Sequence, residues 1–440
     1  MRQSHLLLGD SSGQNDTRAR KMDDKMKRGT SLSQINDDAM EDIFSRLSAK
    51  EISISKCVCT KWNGIMSHNS FIHRYCQRSD SISGLFLQQH EEIGDPFVKP
   101  VFHFPLATKN PQIQTKFLDF LPEKVYIMSS NNGLLCCRSL VAINKLDRPG
   151  GAEQGSIQDG WYIPKIYVCN PISKEFIVIN PSKFDHVGRN IGLTFDPVSC
   201  SFHLVTIDCD KNLDLSWQYS FTVFSSKTSS WRILDAVFNW DSPIHRNKNV
   251  FVNGIFHWLA TNHRVITFDL EKEAVGVVNL PGPIMEGKGY HGVCIGSSGE
   301  RLAYIVVHPL EIRVWILKDH GKSEWFLENQ LSLDQFYEEN KSLLHRQLFL
   351  LLTKDTINPE TKTNGSVNPL AFGDDVLYMV MNRFMYSYEF KTRHLKKLFL
   401  MDGTKCDMSL SPTAVPYAAN LIAMDFLKAK PRTGNNGADS

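Results

Sequence analysis

The chain has 440 residues, 42% hydrophobic and 22% charged, enough for at least one large core with the ordinary balance of a globular protein. Its 49 basic and 47 acidic residues leave a net charge of +2, which excludes an extended basic field and removes the electrostatic case for nucleic acid as a partner. The longest purely apolar run, Leu348 to Leu352, falls far short of the roughly 20 residues that span a bilayer, and Leu6-Leu7-Leu8 is too short for a secretory signal. No membrane contact is expected, and a cytoplasmic or nuclear location with reduced thiols is.

Residues 1–30 are rich in Ser, Asp, Asn, Lys and Arg, without apolar periodicity beyond Leu8, and are expected to be a disordered tail. Its cluster Arg18, Arg20, Lys21, Lys25, Lys27 and Arg28 reads either as an import signal or as a solvated charge run. From Ile35 to Tyr75 the pattern is helical. Ile35, Ala39, Met40, Ile43, Phe44 and Leu47 recur at spacings that put them on one stripe. Asn36 or Asp37 is placed to cap this first helix. Ser48-Ala49-Lys50-Glu51 is a capping box that starts a second, with Ile52, Cys57 and Val58 on its apolar side. A third amphipathic piece carries Trp62, Ile65 and Met66, followed by Phe71, Ile72 and Tyr75. Three short helices bury little surface, and a unit of this size ordinarily needs a metal, disulfides or a partner. A partner is the option left open here.

Beyond about residue 81 the character is β. Runs such as Lys165 to Cys169, Phe202 to Ile207 and Phe221 to Phe224 are β-branched and aromatic, bounded by turn residues. One theme repeats: a strand, a polar turn, a second strand. It occurs at Val168 to Phe176, Val223 to Trp231, Thr267 to Ala274, Val314 to Asp319 with Trp325 beyond, and Tyr388 to Arg393. Several of these turns lie about 45 to 55 residues apart, the blade period of four-stranded propellers, so a propeller is favoured over a sandwich. Polar gaps at 145–160 and 355–368 interrupt the pattern, a helix is expected between Leu333 and Leu352, and residues 427–440 are expected to be a second disordered tail.

The ten cysteines include no C-x-x-C pair and read as small buried apolar residues rather than zinc ligands. His257 is expected to face a strand neighbour. Trp161, Trp217, Trp231, Trp240, Trp258, Trp315 and Trp325 are expected to pack between sheets or blades rather than to form a ligand cage. Gly321-Lys322-Ser323 resembles the end of a phosphate loop, but Ile316 stands where the first glycine is required. Gly296 to Glu300 fails as G-x-S-x-G because Glu300 replaces the last glycine, and Asp374-Asp375 reads as a solvated turn.

Three ordered pieces, Glu41 to Leu47, Ala49 to Ile52 and Lys56 to Trp62, followed by Phe71, resemble an F-box, the motif that docks on the Skp adaptor of cullin–RING ubiquitin ligases. The family's opening Leu-Pro is Ile35-Asn36 here, and its proline after the first helix is Ser48. Asn132 to Leu135, Cys169 to Ser173, Gly192 to Pro197, Asn253 to Leu259, Phe268 to Leu270 and Ile312 to Trp315 resemble, in that order, the F-box-associated kelch-like or propeller-like β domain of plant F-box proteins. The resemblance implies an all-α F-box at 31–76, a β-propeller at 81–426, and a non-catalytic substrate receptor without cofactor. It implies a Skp-type adaptor and a cullin–RING ligase as partners, with an unknown protein as target. Ile35, Met40, Ile43, Phe44, Leu47, Ile52, Val58 and Trp62 would carry the adaptor contact. A scaffold acting outside a ligase and a propeller enzyme with a carbohydrate-type substrate remain as rivals.

Overall fold

The chain is described by a computed structural model over residues 35–78, 82–89, 99–106, 112–142, 162–181, 190–211, 217–240, 244–282, 292–308, 311–344, 367–381, 384–401 and 413–420. The expected tails, the basic cluster at 18–28 and the gap at 145–160 lie outside these residues. The chain divides into two units, 1–71 and 72–440.

The first unit is helical. Helix α1 spans Asp37–Phe44, α2 Ala49–Ser55 and α3 Thr60–Ser67; α4, Asn69–Arg78, continues into the second unit. The stretch therefore holds four helices rather than three. His68 causes the extra break: its ψ of 141° is extended, so α3 ends and α4 starts anew. The single apolar stripe expected on α1 also divides. Met40 and Phe44, one helical turn apart, are buried, whereas Ile43 and Ala39 face outward.

The second unit is built from antiparallel meanders. Strands β3 (Val125–Asn131), β4 (Leu134–Ala142), β5 (Tyr162–Asn170) and β6 (Glu175–Ile179) make one sheet. Strands β7 (Asn190–Asp196), β8 (Ser201–Lys211), β9 (Trp217–Ser225) and β10 (Ser230–Trp240) make the next. The third has β11 (Ile244–Val252), β12 (Ile255–Ala260), β13 (Arg264–Asp269) and β14 (Ala274–Asn279). Two further meanders follow, β15 (Gly292–Ser298), β16 (Arg301–Val307), β17 (Glu311–Asp319) and β18 (Glu324–Ser332), then β19 (Asn368–Gly373), β20 (Val376–Met381), β21 (Phe384–Glu389) and β22 (His394–Leu400). These two are joined through a parallel bridge between Ser297 and Gly373. A three-stranded sheet unites the two ends of the domain in the order β2 (Val101–Pro105), β1 (Gly84–Gln88), β23 (Thr413–Tyr417).

The first strand of each meander lies innermost, and the inner strands touch in the cyclic order β23, β3, β7, β11, β15, β19 and back to β23. This is a propeller arrangement, closed by pairing the C-terminal strand with β1. Each blade is covered on both faces, so its strands read as nearly continuous apolar runs. In β4, Leu134 and Cys136 enter the core shared with the β7–β10 blade, while Leu135 and Cys137 enter the core shared with the closing sheet. Period-two alternation thus feeds two cores from four consecutive buried residues.

The turn theme seen in the sequence falls at one position in every four-stranded blade, between the third and fourth strands. The residue before the fourth strand has positive φ each time: Lys174 (58°), Ser229 (51°), Glu273 (52°), Ser323 (50°) and Arg393 (55°). Side chains at the turn's start satisfy its amides, as Asn170 Oδ1 accepts from the Ile172 N–H (2.9 Å) and Asp269 Oδ1 from that of Lys272 (2.9 Å). Just beyond the turn, Trp231 Nε1 donates to the Asn180 carbonyl (2.7 Å) and Trp325 Nε1 to that of Asn279 (2.8 Å), each on the preceding blade. Trp258 is fully buried and Trp315 half-buried. Trp161 and the side chains of Trp217 and Trp240 lie outside the described residues. The expected helix begins at Leu333, as α5 (Leu333–Asn340), with Ser332 as its cap; residues 345–352 are outside the description.

Candidate functional site

The helical unit is assembled from local bonds. The Asn36 side chain accepts from the Ala39 N–H (2.8 Å) and caps α1, whose first turn carries Asp37 and Asp38 at its positive end. Asp37 pairs with Lys61 on α3 at 2.9 Å. At α2, Ser48 and Glu51 form the full capping box: the Glu51 N–H donates to Ser48 Oγ (3.3 Å), and Glu51 Oε2 accepts from the Ser48 N–H (2.8 Å). That backbone N–H, with the Ser48 hydroxyl, holds the Glu51 carboxyl below its usual range. Both positions where the family has proline are thus occupied by side chains that cap.

The eight residues expected to meet an adaptor separate into three groups. Met40, Phe44 and Ile52 are buried, at 2%, 4% and 0% exposure. Phe44 meets Trp62 of α3 edge-on, ring centroids 4.9 Å apart. These residues pack inside the helical unit. Ile35, Leu47 and Trp62 are half-buried, and Ile43 and Val58 are exposed. Sequence reasoning missed Ile54, the most exposed of the aliphatics here at 62%. Its signal was its position two residues past Ile52, which carries it away from the inward face.

Val58 does not extend α2 as expected. It follows the helix in a turn closed by the Val58 N–H to the Ser55 carbonyl (3.1 Å). Of nine large aliphatic side chains exposed among the described residues, three, Ile43, Ile54 and Val58, lie in the helical unit. Cys57 and Cys59 are exposed too, against the expectation of burial, and Cys59 Sγ accepts from the Trp62 N–H (3.5 Å) as the cap of α3. Cys136, Cys137, Cys169 and Cys294 are buried as expected, and desolvation pushes the Cys136 thiol well above its ordinary range.

In the propeller, antiparallel order places the first-to-second and third-to-fourth turns of every blade on one face. That face is made of tight turns such as Asn132-Gly133 (φ 44°, 79°) and Asn253-Gly254 (φ 47°, 80°), where two successive left-handed residues match the strand twist. Asp374-Asp375 is the corresponding turn of the β19–β22 blade; Asp375 pairs with Lys391 at 2.7 Å. Gly296 to Glu300 forms the β15–β16 hairpin, and Gly321-Lys322-Ser323 lies in the β17–β18 turn. The second-to-third and blade-to-blade connections leave from the opposite face. They include those after Ala142 and after β18, where the two sequence gaps fall; of these gaps only residues 367 and 368 are described. His257 is fully buried on β12, and its Nε2 lies 2.9 Å from Nε2 of His320 in the neighbouring blade's β17–β18 turn. Beside its strand neighbour Val250 on β11, it therefore also meets the next blade. Burial and the second imidazole lower its pKa to about 3.

Comparison with known sequence families matches residues 32–74 to the F-box domain and residues 75–353 to the F-box associated beta propeller domain. F-box protein At5g49610 of Arabidopsis thaliana is 25% identical over 311 residues, covering 68% of this chain and 79% of that protein. F-box protein At1g67130 of the same plant is 20% identical over 429 residues, covering 90% of this chain and 86% of that protein. A solved Pseudomonas aeruginosa periplasmic gluconolactonase aligns over 77% of this chain at 9% identity, with a TM-score of 0.36, too distant to bear on function. The chain belongs to the F-box proteins that carry an F-box-associated β-propeller domain.

Proposed function

We propose that the chain is the substrate-recognition subunit of a Skp adaptor–cullin–F-box ubiquitin ligase, present in cytoplasm or nucleus and without catalytic residues of its own. The observation that carries this reading is the exposed trio Ile43, Ile54 and Val58 on a small capped helical unit of an F-box protein. Covering those side chains with an adaptor removes apolar area from water at about 25 cal/mol per Å². Met40, Phe44 and Ile52 hold the helices that present them, with Ile35, Leu47 and Trp62 at the margin. The propeller would hold the target through its loops. Tethering makes ubiquitin transfer to that target effectively intramolecular, at a local concentration toward ~mM for a short, well-matched tether.

Affinity purification with the proteasome inhibited tests this, comparing wild type with Ile43→Asp/Val58→Asp. Both side chains are more than half exposed, so the variant is expected to fold. Wild type should recover adaptor and cullin together; the variant should lose both and keep proteins bound to the propeller. Undiminished adaptor recovery would reject the docking face. Adaptor without cullin would favour a scaffold acting outside a ligase.

A further inference from the structure

The ring of inner strands encloses a cavity of about 620 Å³, walled by β3, β11, β15, β19 and β23. A volume of that size is in the range that holds a small molecule. Three of the walls are irregular where they face it. The ladder slips between Ile127 and Ser129 on β3, between Ile244 and Asn249 on β11, and between Pro369 and Ala371 on β19. Met128, Lys248 and Leu370, inside those slips, all line the cavity. A bulge re-aims a side chain.

The polar groups there are not all satisfied. Lys248 donates from Nζ to the Val293 carbonyl (3.2 Å), and among the described residues no carboxylate pairs with it. Its ammonium is desolvated, which lowers its pKa. Asn249 braces the channel, its Nδ2 donating across to the Met128 carbonyl on β3 (3.1 Å). The carboxylates lining the cavity, Glu300 and Asp374, sit at the hairpin turns of one mouth. Lys248 precedes the Asn253-Gly254 turn on that face by five residues, so it lies roughly 16 Å deeper along the strand.

We infer that this channel binds a small monocarboxylate, its carboxylate held by the Lys248 ammonium and its neutral or donor end turned toward Glu300 and Asp374. A lysine with spare N–H groups is a donor that an oxyanion takes up. The acidic mouth disfavours a second anionic end, and one cation is too few for a phosphate dianion.

The test uses the full chain with 4-hydroxybutanoate, its neutral amide and inorganic phosphate at matched ionic strength. Calorimetry should show binding of 4-hydroxybutanoate and not of the amide. Lys248→Met should weaken it at least about tenfold, and Lys248→Arg less. Because Lys248→Met could disturb the β11 bulge, a second measurement uses unaltered protein: reductive methylation mapped by mass spectrometry should show Lys248 protected by 4-hydroxybutanoate and surface lysines such as Lys318 unprotected. Unchanged Lys248 labelling up to about 50 mM, the weak limit of small-ligand affinity, would overturn the proposal. So would equal binding by a folded Lys248→Met protein, or protection by phosphate exceeding that by the carboxylate.

Discussion

The helical unit and the propeller are held together over different distances along the chain. In the helical unit most side-chain bonds span three or four residues, as at Asn36 to Ala39, Asp42 to Arg46 and Ser48 to Glu51, with longer ones such as Asp37 to Lys61 between helices. In the propeller the closing bonds join its two ends: the Ser83 hydroxyl donates to the Tyr417 carbonyl, 334 residues away, and the Asn170 amide to that of Asn420, 250 away. The first unit is locally specified and leaves aliphatic side chains in water. The second closes on itself, but only once strand β23 arrives. Each expected outcome below presses on that difference.

The largest effect should come from ending the chain at residue 412. This removes β23, and with it the buried Val415 and Tyr417, and uncovers the fully buried Leu85 and Leu87 of β1. Deleting one large core side chain costs about 2–5 kcal/mol, and whole domains have only about 5–15. The shortened protein should show no cooperative melt by circular dichroism. A transition within a few degrees of the full chain would mean that the ring does not depend on its closing strand.

Acid should come next, acting on the propeller. Burial lowers the pKa of His257 to about 3, the nearby His320 adding to the shift, and that of His103 to about 4, where Gln114 opposes the shift. Both are below the ordinary 6.5, so between these values the unfolded chain binds protons that the folded chain does not. Stability is then full above about pH 6.5 and falls as pH drops toward the folded-state values. The melting temperature should decrease from pH 7 to pH 5, before most carboxylates titrate, and His257→Asn should flatten that slope. A pH-independent melt over this window would remove the histidines from the account.

A smaller effect probes how one blade holds the next. Trp231→Phe and Trp325→Phe keep most of the ring volume and delete an N–H to the preceding blade's carbonyl. Each should lower stability by about 1 kcal/mol in denaturant titrations, and by similar amounts, because the two occupy the same place in their blades. Unequal losses would show that the likeness is geometric only.

These distances also decide what could be read from sequence. The five strand–turn–strand pieces were legible because each is a local event with its own polar turn, and all five proved to be the same turn of successive blades. The closing sheet was not, since nothing near Gly84 signals a partner at Tyr417. Spacing on α1 found apolar residues but could not say which side meets neighbouring helices. Met40 and Phe44 went inward and Ile43, a third of a turn away, did not. Lys248 stood out in no pattern, because a register slip rather than periodicity aims it at the channel.

The smallest effect is the most diagnostic of the helical unit. Proline fixes a turn by restricting the unfolded chain, whereas Asn36 and Ser48 act in the folded state by accepting amide hydrogens that would otherwise be lone. Replacing a capping side chain with alanine costs about 1 kcal/mol. Asn36→Ala and Ser48→Ala should each fray the start of one helix, seen as faster amide exchange at Ala39 or Glu51, with the propeller's melt unchanged. If docking requires formed helices, the double variant should weaken adaptor binding by no more than about thirtyfold, the ceiling set by two such losses. Asn36→Pro, by contrast, should retain binding, because it restores the family's turn while α1 loses only one exposed cap. Weakening equal to that of Asn36→Ala would show that the side-chain cap, and not a fixed turn, sets the helix in its docking position.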